Sequence, residues 1–148
     1  LEELIKGVAV GFQRMAAEKD LPIRLDLPAR PVFLDADPDR LKEVLENLLD
    51  NAVRFTREGE IRVGVENKGD EVVCTVSDTG RGISEEDLPR VFEKFEQFSR
   101  EYGPGPMGMG LGLSICKEII DLHHGKIRVE SKSGQGSQFI FSLPAAAA

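Results

Sequence analysis

The chain has no tryptophan, one tyrosine, two cysteines and two histidines among its 148 residues. Cys74 and Cys116 lie far apart, each inside an apolar stretch and neither in CxxC or His-flanked spacing. That excludes a disulfide scaffold and a cysteine-ligated zinc site, and leaves two buried reduced thiols as the expectation. No apolar run approaches the ~18 residues of a membrane span, and Leu1-Glu2-Glu3-Leu4 lacks the basic-then-apolar order of a secretory leader. The expectation is a soluble, cytoplasmic piece without direct membrane contact, whatever anchors a larger parent. Cations are scarce too: 19 Lys and Arg against 26 Asp and Glu give a formal charge of -7. Broad nucleic-acid binding is thereby excluded, because it rests on cations neutralising phosphates. Finally, no G-x-x-x-x-G-K-[S/T] occurs, and the one G-x-G-x-x-G, from Gly103 to Gly108, holds two prolines and follows no strand.

What is present suits one globular domain with a core, 41% hydrophobic and 30% charged. Leu4, Ile5, Val8, Phe12 and Met15 recur at helical spacing over 1–19. The Pro-bounded stretch 22–35 reads as two short strands, and Asp37-Pro38 as an N-cap opening a helix to about Phe55. Residues 59–66 and 71–77 form the clearest hairpin, with Ile61, Val63 and Val65 alternating against polar neighbours. Ser84 caps a short helix, 96–107 loses periodicity around Gly103-Pro104-Gly105-Pro106, and 111–122 is helical again, ending at His123-His124-Gly125. A second hairpin, 126–131 and 137–143, closes the chain. The order implies an α/β (α+β) two-layer sandwich: a mixed, mostly antiparallel sheet of about five strands plus a short edge strand, with three main helices on one face.

Four short motifs carry the chemistry. On the helix after Pro38, Leu41, Val44, Leu45, Leu48 and Ala52 make a buried stripe, while Asn47 and Asn51 lie together on its flank. Their amide oxygens are hard ligands of the kind magnesium accepts beside phosphates, although exposed helix asparagines are the plainer reading of that pair alone. Arg54 offers a charge to a phosphate and Phe55 a ring for stacking. Asp78 ends an apolar strand and meets Thr79-Gly80-Arg81-Gly82, a turn that projects its carboxylate beyond the sheet, where it can accept from an exocyclic amine; a simple Asp-Gly turn explains the same residues. Gly108, Gly110 and Gly112 lead into a helix, where bare amides and the helix dipole favour phosphate. Phe92, Phe95 and Phe98, three apart, are simplest as a hydrophobic anchor under a mobile loop, and His123-His124 as a helix C-terminus. Together the motifs read as a site for a purine nucleotide with its magnesium ion.

In this order the motifs resemble the catalytic ATP-binding domain of sensor histidine kinases, within the wider family of gyrase B, mismatch-repair and ninety-kilodalton chaperone ATPases. Residues 47–56, NLLDNAVRFT, are similar to its asparagine box; 78–83, DTGRGI, to its first glycine box; 92–95, FEKF, to its phenylalanine box; and 108–113 to its second glycine box. Residues 125–131 and 136–144 are similar to its closing hairpin. The resemblance implies the Bergerat ATP-binding fold over 1–148, with a lid over about 96–109. It implies ATP and Mg2+ as cofactors and catalytic roles for Asn47, Asn51 and Arg54, with Asn51 holding magnesium and Asn47 beside the metal's waters. Asp78 would take the adenine amine, Gly80, Gly82 and Ile83 would line the base pocket, Phe55 would pack near the base, and Ser137 would offer a hydroxyl. Gly108, Gly110, Leu111 and Gly112 would serve the phosphates, with Arg54 and Arg100.

One position separates the branches of that family. Its ATPases carry a general-base Glu one helical turn before the metal Asn, and here Asn47 stands there, as in the kinases. An amide cannot take a proton from water, so the γ-phosphoryl group is expected to await a protein acceptor. Met109 replaces the usual Thr or Ser of the second glycine box. No His is followed by Glu or Asp and then a Pro four residues on, so the phosphoacceptor helix is absent here and expected N-terminal in the parent. The resemblance thus implies transfer to a histidine of that domain, with a response regulator downstream and the isolated domain monomeric. An ATP-binding regulatory module and an anti-sigma-type serine kinase are the alternatives.

Overall fold

A computed structural model describes residues 1–92 and 112–146. The first helix, α1 (Glu2–Ala17), turns Ile5, Val8, Ala9 and Ala16 inward, at the spacing that puts them on one face. It ends where Asp20 takes φ 56 and the Leu21 N–H donates to Ala16 O at 2.9 Å, which points the buried Leu21 back at the core. The short strand β1 (Ile23–Asp26) follows. The second strand expected over 22–35 is a correction: after Asp26 only a single bridge forms, Leu34 to Ala145. Pro28 and Pro31 withhold the N–H groups a longer ladder needs.

Helix α2 (Pro38–Phe55) starts as the sequence implies, with Asp37 Oδ1 accepting from the Asp39 N–H at 3.0 Å and proline in the first turn. Its buried stripe extends the expected one with Leu49 and Val53. Then come β2 (Ile61–Asn67), β3 (Glu71–Asp78), the 3₁₀ turn Leu88–Arg90, α3 (Gly112–Leu122), β4 (Lys126–Ser131) and β5 (Ser137–Pro144). The sheet runs β1-β2-β3-β5-β4, with β1 parallel to β2 and every other pair antiparallel. Ile61, Val63, Cys74, Val76, Phe139, Phe141 and Leu143 share one sheet face and meet the apolar sides of all three helices in one cluster. The other face is open and polar, carrying Arg62, Gln138, Arg128 and Glu130.

Two devices fix the helices. At the end of α3 the left-handed residue is His124, φ 62, and not Gly125, which is needed because a Cβ there would lie 2.1 Å from Ser142 O. His123 Nε2 accepts from the Asp37 N–H at 3.1 Å while its Nδ1 stands 2.8 Å from Ile119 O. A carbonyl cannot donate, so the ring carries its proton on Nδ1 and braces the end of α3 to the start of α2. The Lys19 ammonium donates to Val53 O at 2.7 Å and Arg54 O at 3.3 Å, satisfying carbonyls at the C-terminus of α2. Lys19→Met keeps the aliphatic stem and removes that charge; it should cost about 1–2 kcal/mol, read as a lower midpoint in urea unfolding at unchanged slope. An unchanged midpoint would show the cap to be dispensable.

Candidate functional site

The second half of α2, the end of β3 and the start of β5 converge at one end of the sheet. Asp78 and Ser137 are register partners on adjacent strands, so both side chains stand at the same edge of the core. Asn51, Phe55, Asp78, Gly82, Ile83 and Ser137, expected from sequence to share a site, do line one pocket, together with Arg81, Leu113 and Phe139. It is a narrow cavity, with a free volume of ≈ 30 Å³. A more open groove of ≈ 710 Å³ adjoins Asp78 and Ser137 on the polar sheet face, among Glu60, Arg62, Glu130 and Gln138. The smaller pocket is the better ligand site, because apolar walls there surround a few convergent polar atoms.

Backbone geometry explains the glycines. Gly82 has φ 74, and a Cβ on it would lie 2.0 Å from Lys132 O; at Gly80 a Cβ would lie 2.5 Å from Phe55 O. The first glycine box is therefore pressed between α2 and the β4–β5 turn with no room for a side chain. Thr79 fastens its other flank, accepting from the Glu60 N–H at 3.0 Å and donating to Glu58 O at 2.9 Å.

Inside this clasp the Gly80 N–H donates to Asp78 Oδ1 at 2.8 Å. Burial nevertheless holds the Asp78 carboxyl above its ordinary range, outweighing the backbone donors of Gly80 and Ser137 and the nearby Thr56 hydroxyl, which favour the charged form. Thr56, to which the sequence assigned no role, is wholly buried, and among the described residues its Oγ1 finds no partner in full hydrogen-bond geometry, although it lies close enough to Asp78 to favour the charged carboxylate. That atom and Asp78 Oδ1 both crowd the point where a Gly80 Cβ would sit, at 3.0 and 2.9 Å. The carboxylate thus stands half-buried between the pocket and the open groove, with Gly80, Ser137 and Thr56 as its nearest donors.

Other expected residues fall elsewhere. Asn47 lies against the first turn of α3, its Oδ1 3.4 Å from where a Gly112 Cβ would be, and not in the wall of this pocket. Arg54 Nε bonds Asp50 Oδ2 at 2.9 Å along the helix, so its guanidinium is held beside the pocket and not within its wall. Gly112 opens α3, whereas Arg100, Gly108, Gly110 and Leu111 lie outside the described residues, as do the expected lid and Phe95 and Phe98. Phe92 meets Phe139 edge to face, centroids 6.4 Å apart, which fits the anchoring role. Arg81, which periodicity could not single out, stacks over the Phe55 ring at 5.2 Å and closes the outer wall. Cys74 and Cys116 are free and buried, and burial pushes both thiols up to about 12, so neither is a nucleophile at neutral pH.

The profile of the histidine kinase-, DNA gyrase B- and HSP90-like ATPases matches residues 36–147. The chain belongs to this family. The adaptive-response sensory kinase SasA of Crocosphaera subtropica is 39% identical over 146 residues, which are 97% of this chain and 38% of SasA. The sensor histidine kinase RcsC of Escherichia coli is 36% identical over 143 residues, 96% of this chain and 15% of RcsC. Among solved structures, the catalytic domain of histidine kinase ThkA, nucleotide free, superposes with TM-score 0.85 at 34% identity, over 97% of this chain and 93% of that one. Full-length ShkA in complex with AMPPNP gives 0.88 at 32% identity, over 99% of this chain and 30% of ShkA. The chain therefore spans well under half of SasA, RcsC and full-length ShkA, and its sandwich is the one found in the catalytic domain of ThkA. No helix among the described residues is long and apolar enough to cross a membrane.

Proposed function

We propose that this chain is the catalytic domain of a sensor histidine kinase, and that it binds Mg-ATP and passes the γ-phosphoryl group to a histidine on a separate domain of the same parent. The observation that carries the reading is Asp78: an acceptor-rich, desolvated carboxylate at the end of an apolar pocket, beside Asn51 on α2 and close to the start of α3. Such a carboxylate accepts from the 6-amino group of adenine and repels the 6-oxo group of guanine. Phe55 and Ile83 provide apolar walls, and Gly82 lets the backbone approach the base.

Magnesium fits the donor set that lines this pocket. The Asn51 side chain offers a neutral, hard amide oxygen, and among the described residues no cluster of three His, Cys, Asp or Glu gathers to hold a metal by itself. Magnesium held by one amide keeps its waters and takes its remaining ligands from the phosphates, whose charge it neutralises. The start of α3 offers backbone N–H donors to those phosphates and Arg54 is a cation near them, while the resemblance assigns Gly108, Gly110 and Arg100, outside the described residues, to the same task.

Transfer breaks the bond between the γ-phosphorus and its bridging oxygen, forms a phosphorus–nitrogen bond to the acceptor imidazole, and releases ADP. An amide at Asn47 cannot take a proton from water, so hydrolysis should be slow. That position favours a kinase over an ATPase. The parent supplies the phosphoacceptor domain, a response regulator takes the phosphoryl group onward, and the domain works in the cytoplasm as a monomer between encounters. The resemblance to SasA and RcsC, and AMPPNP in the ShkA complex, support this reading.

Calorimetric titration in magnesium should give ATP binding at least about tenfold tighter than GTP, the worth of one charge-assisted hydrogen bond. With a supplied phosphoacceptor domain, γ-labelled ATP should then yield acid-labile label on that domain. Equal affinity for the two nucleotides would overturn the Asp78 assignment. Tight ATP binding without label would favour the regulatory-module reading.

A further inference from the structure

Ser131 ends β4 directly opposite Ser137, the first residue of β5. Its hydroxyl has three neighbours: it accepts from the Ile83 N–H at 2.7 Å, stands 2.8 Å from Gly136 O, and stands 2.9 Å from Ser137 Oγ. A hydroxyl has one proton to give. The Gly136 carbonyl can only accept, so that proton goes to Gly136, and the proton between the two serines must come from Ser137. The Ser137 hydroxyl, 7% exposed and in the pocket wall, is thereby left facing the pocket through its lone pairs.

Resting on the nucleotide reading above, we propose that Ser131 is a positioning residue that sets Ser137 as a hydrogen-bond acceptor, so that Ser137 and Asp78 together select a 6-amino purine. The exocyclic amine carries two hydrogens, one for each acceptor. A 6-oxo purine would place its oxygen against both. Without Ser131 the Ser137 hydroxyl is free to rotate and donate, which relieves half of that repulsion. The Ile83 N–H bond adds a second task, because it ties the first glycine box to the β4–β5 turn while the proton order is set.

The test is the ratio of ATP to ITP affinity, read by calorimetry in magnesium, with thermal melting to confirm the fold. ITP differs at the 6-position and lacks the extra amine of GTP. Ser131→Ala should lower the ratio about five- to tenfold, chiefly by tightening ITP relative to ATP, and Ser131→Thr should restore it. Ser137→Ala should lower the ratio similarly, and adding Ser131→Ala to it should change the ratio no further, because Ser131 acts through Ser137. If Ser131→Ala melts too low to assay, Ser131→Cys, similar in size but a weak donor, should move the ratio the same way. An unmoved ratio, equal weakening of both nucleotides, or an undiminished Ser131 effect in the Ser137→Ala background overturns the proposal and leaves the nucleotide reading intact. A wild-type chain that binds neither nucleotide overturns both.

Discussion

Asp78→Asn is expected to raise the melting temperature at neutral pH while weakening ATP binding about ten- to a hundredfold, the range for losing a hydrogen bond to a charged group. Both effects follow from one fact: burial holds the Asp78 carboxyl above its ordinary value of 3.8. In the unfolded chain the group titrates near that ordinary value. Between the two values the folded protein binds more protons than the unfolded one, so stability falls as pH rises through that window. Above it the cost of a desolvated carboxylate is present in full. Asparagine keeps an Oδ1 for the Gly80 N–H, carries no charge, and turns one acceptor into a donor that opposes the adenine amine. The gain in melting temperature should disappear below pH 3.8, where the wild-type carboxyl is protonated in both states. For the same reason ATP binding by the wild type should weaken, as pH falls, sooner than an ordinary carboxylate would require. Melting curves and titrations at neutral and acidic pH read both effects. A lower melting temperature for the variant at pH 7 would mean that the carboxylate is a net stabiliser, and the desolvation argument would fail.

Asn51→Ala should abolish transfer more thoroughly than it weakens binding. On the proposed function the amide oxygen would fix the metal, and hence the phosphates, relative to the acceptor; losing one such positioned group costs on the order of 10²–10³ in rate. Alanine is the best helix former, so α2 should hold and the melting temperature should not drop. Labelling of the phosphoacceptor domain by γ-labelled ATP reads the rate, and the magnesium dependence of ATP affinity reads the metal. Full labelling by the variant would remove Asn51 from the metal site. A parallel fall in melting temperature and rate would recast it as a structural residue.

Periodicity and cap chemistry located the helices because those signals are local. Asp37-Pro38 starts α2 and the apolar stripe from Leu41 to Ala52 is buried as its spacing requires. Alternation located the hairpins, since side chains two apart share a sheet face. Over Pro22 to Asp35 it located β1 but not a second strand: the apolar run Val32 to Leu34 has β pattern yet forms only the single bridge of Leu34 to Ala145. Of the site, the first glycine box could be read because special backbone geometry demands special residues, and Asp78 because it ends a strand just before that box. Thr56 and Ser131 could not, because a buried hydroxyl beside a ligand pocket looks in sequence like any other threonine or serine.

By itself, then, the sequence determined which elements form, where the asparagine and first glycine motifs fall on them, and that an amide, Asn47, stands one helical turn before Asn51. Only the tertiary structure decided the register that sets Asp78 against Ser137 and the stacking of Arg81 on Phe55. The difference is physical. Elements answer to neighbours three or four residues away, whereas the protonation of Asp78 and the proton order of Ser131 and Ser137 depend on burial and on atoms brought together across the sheet.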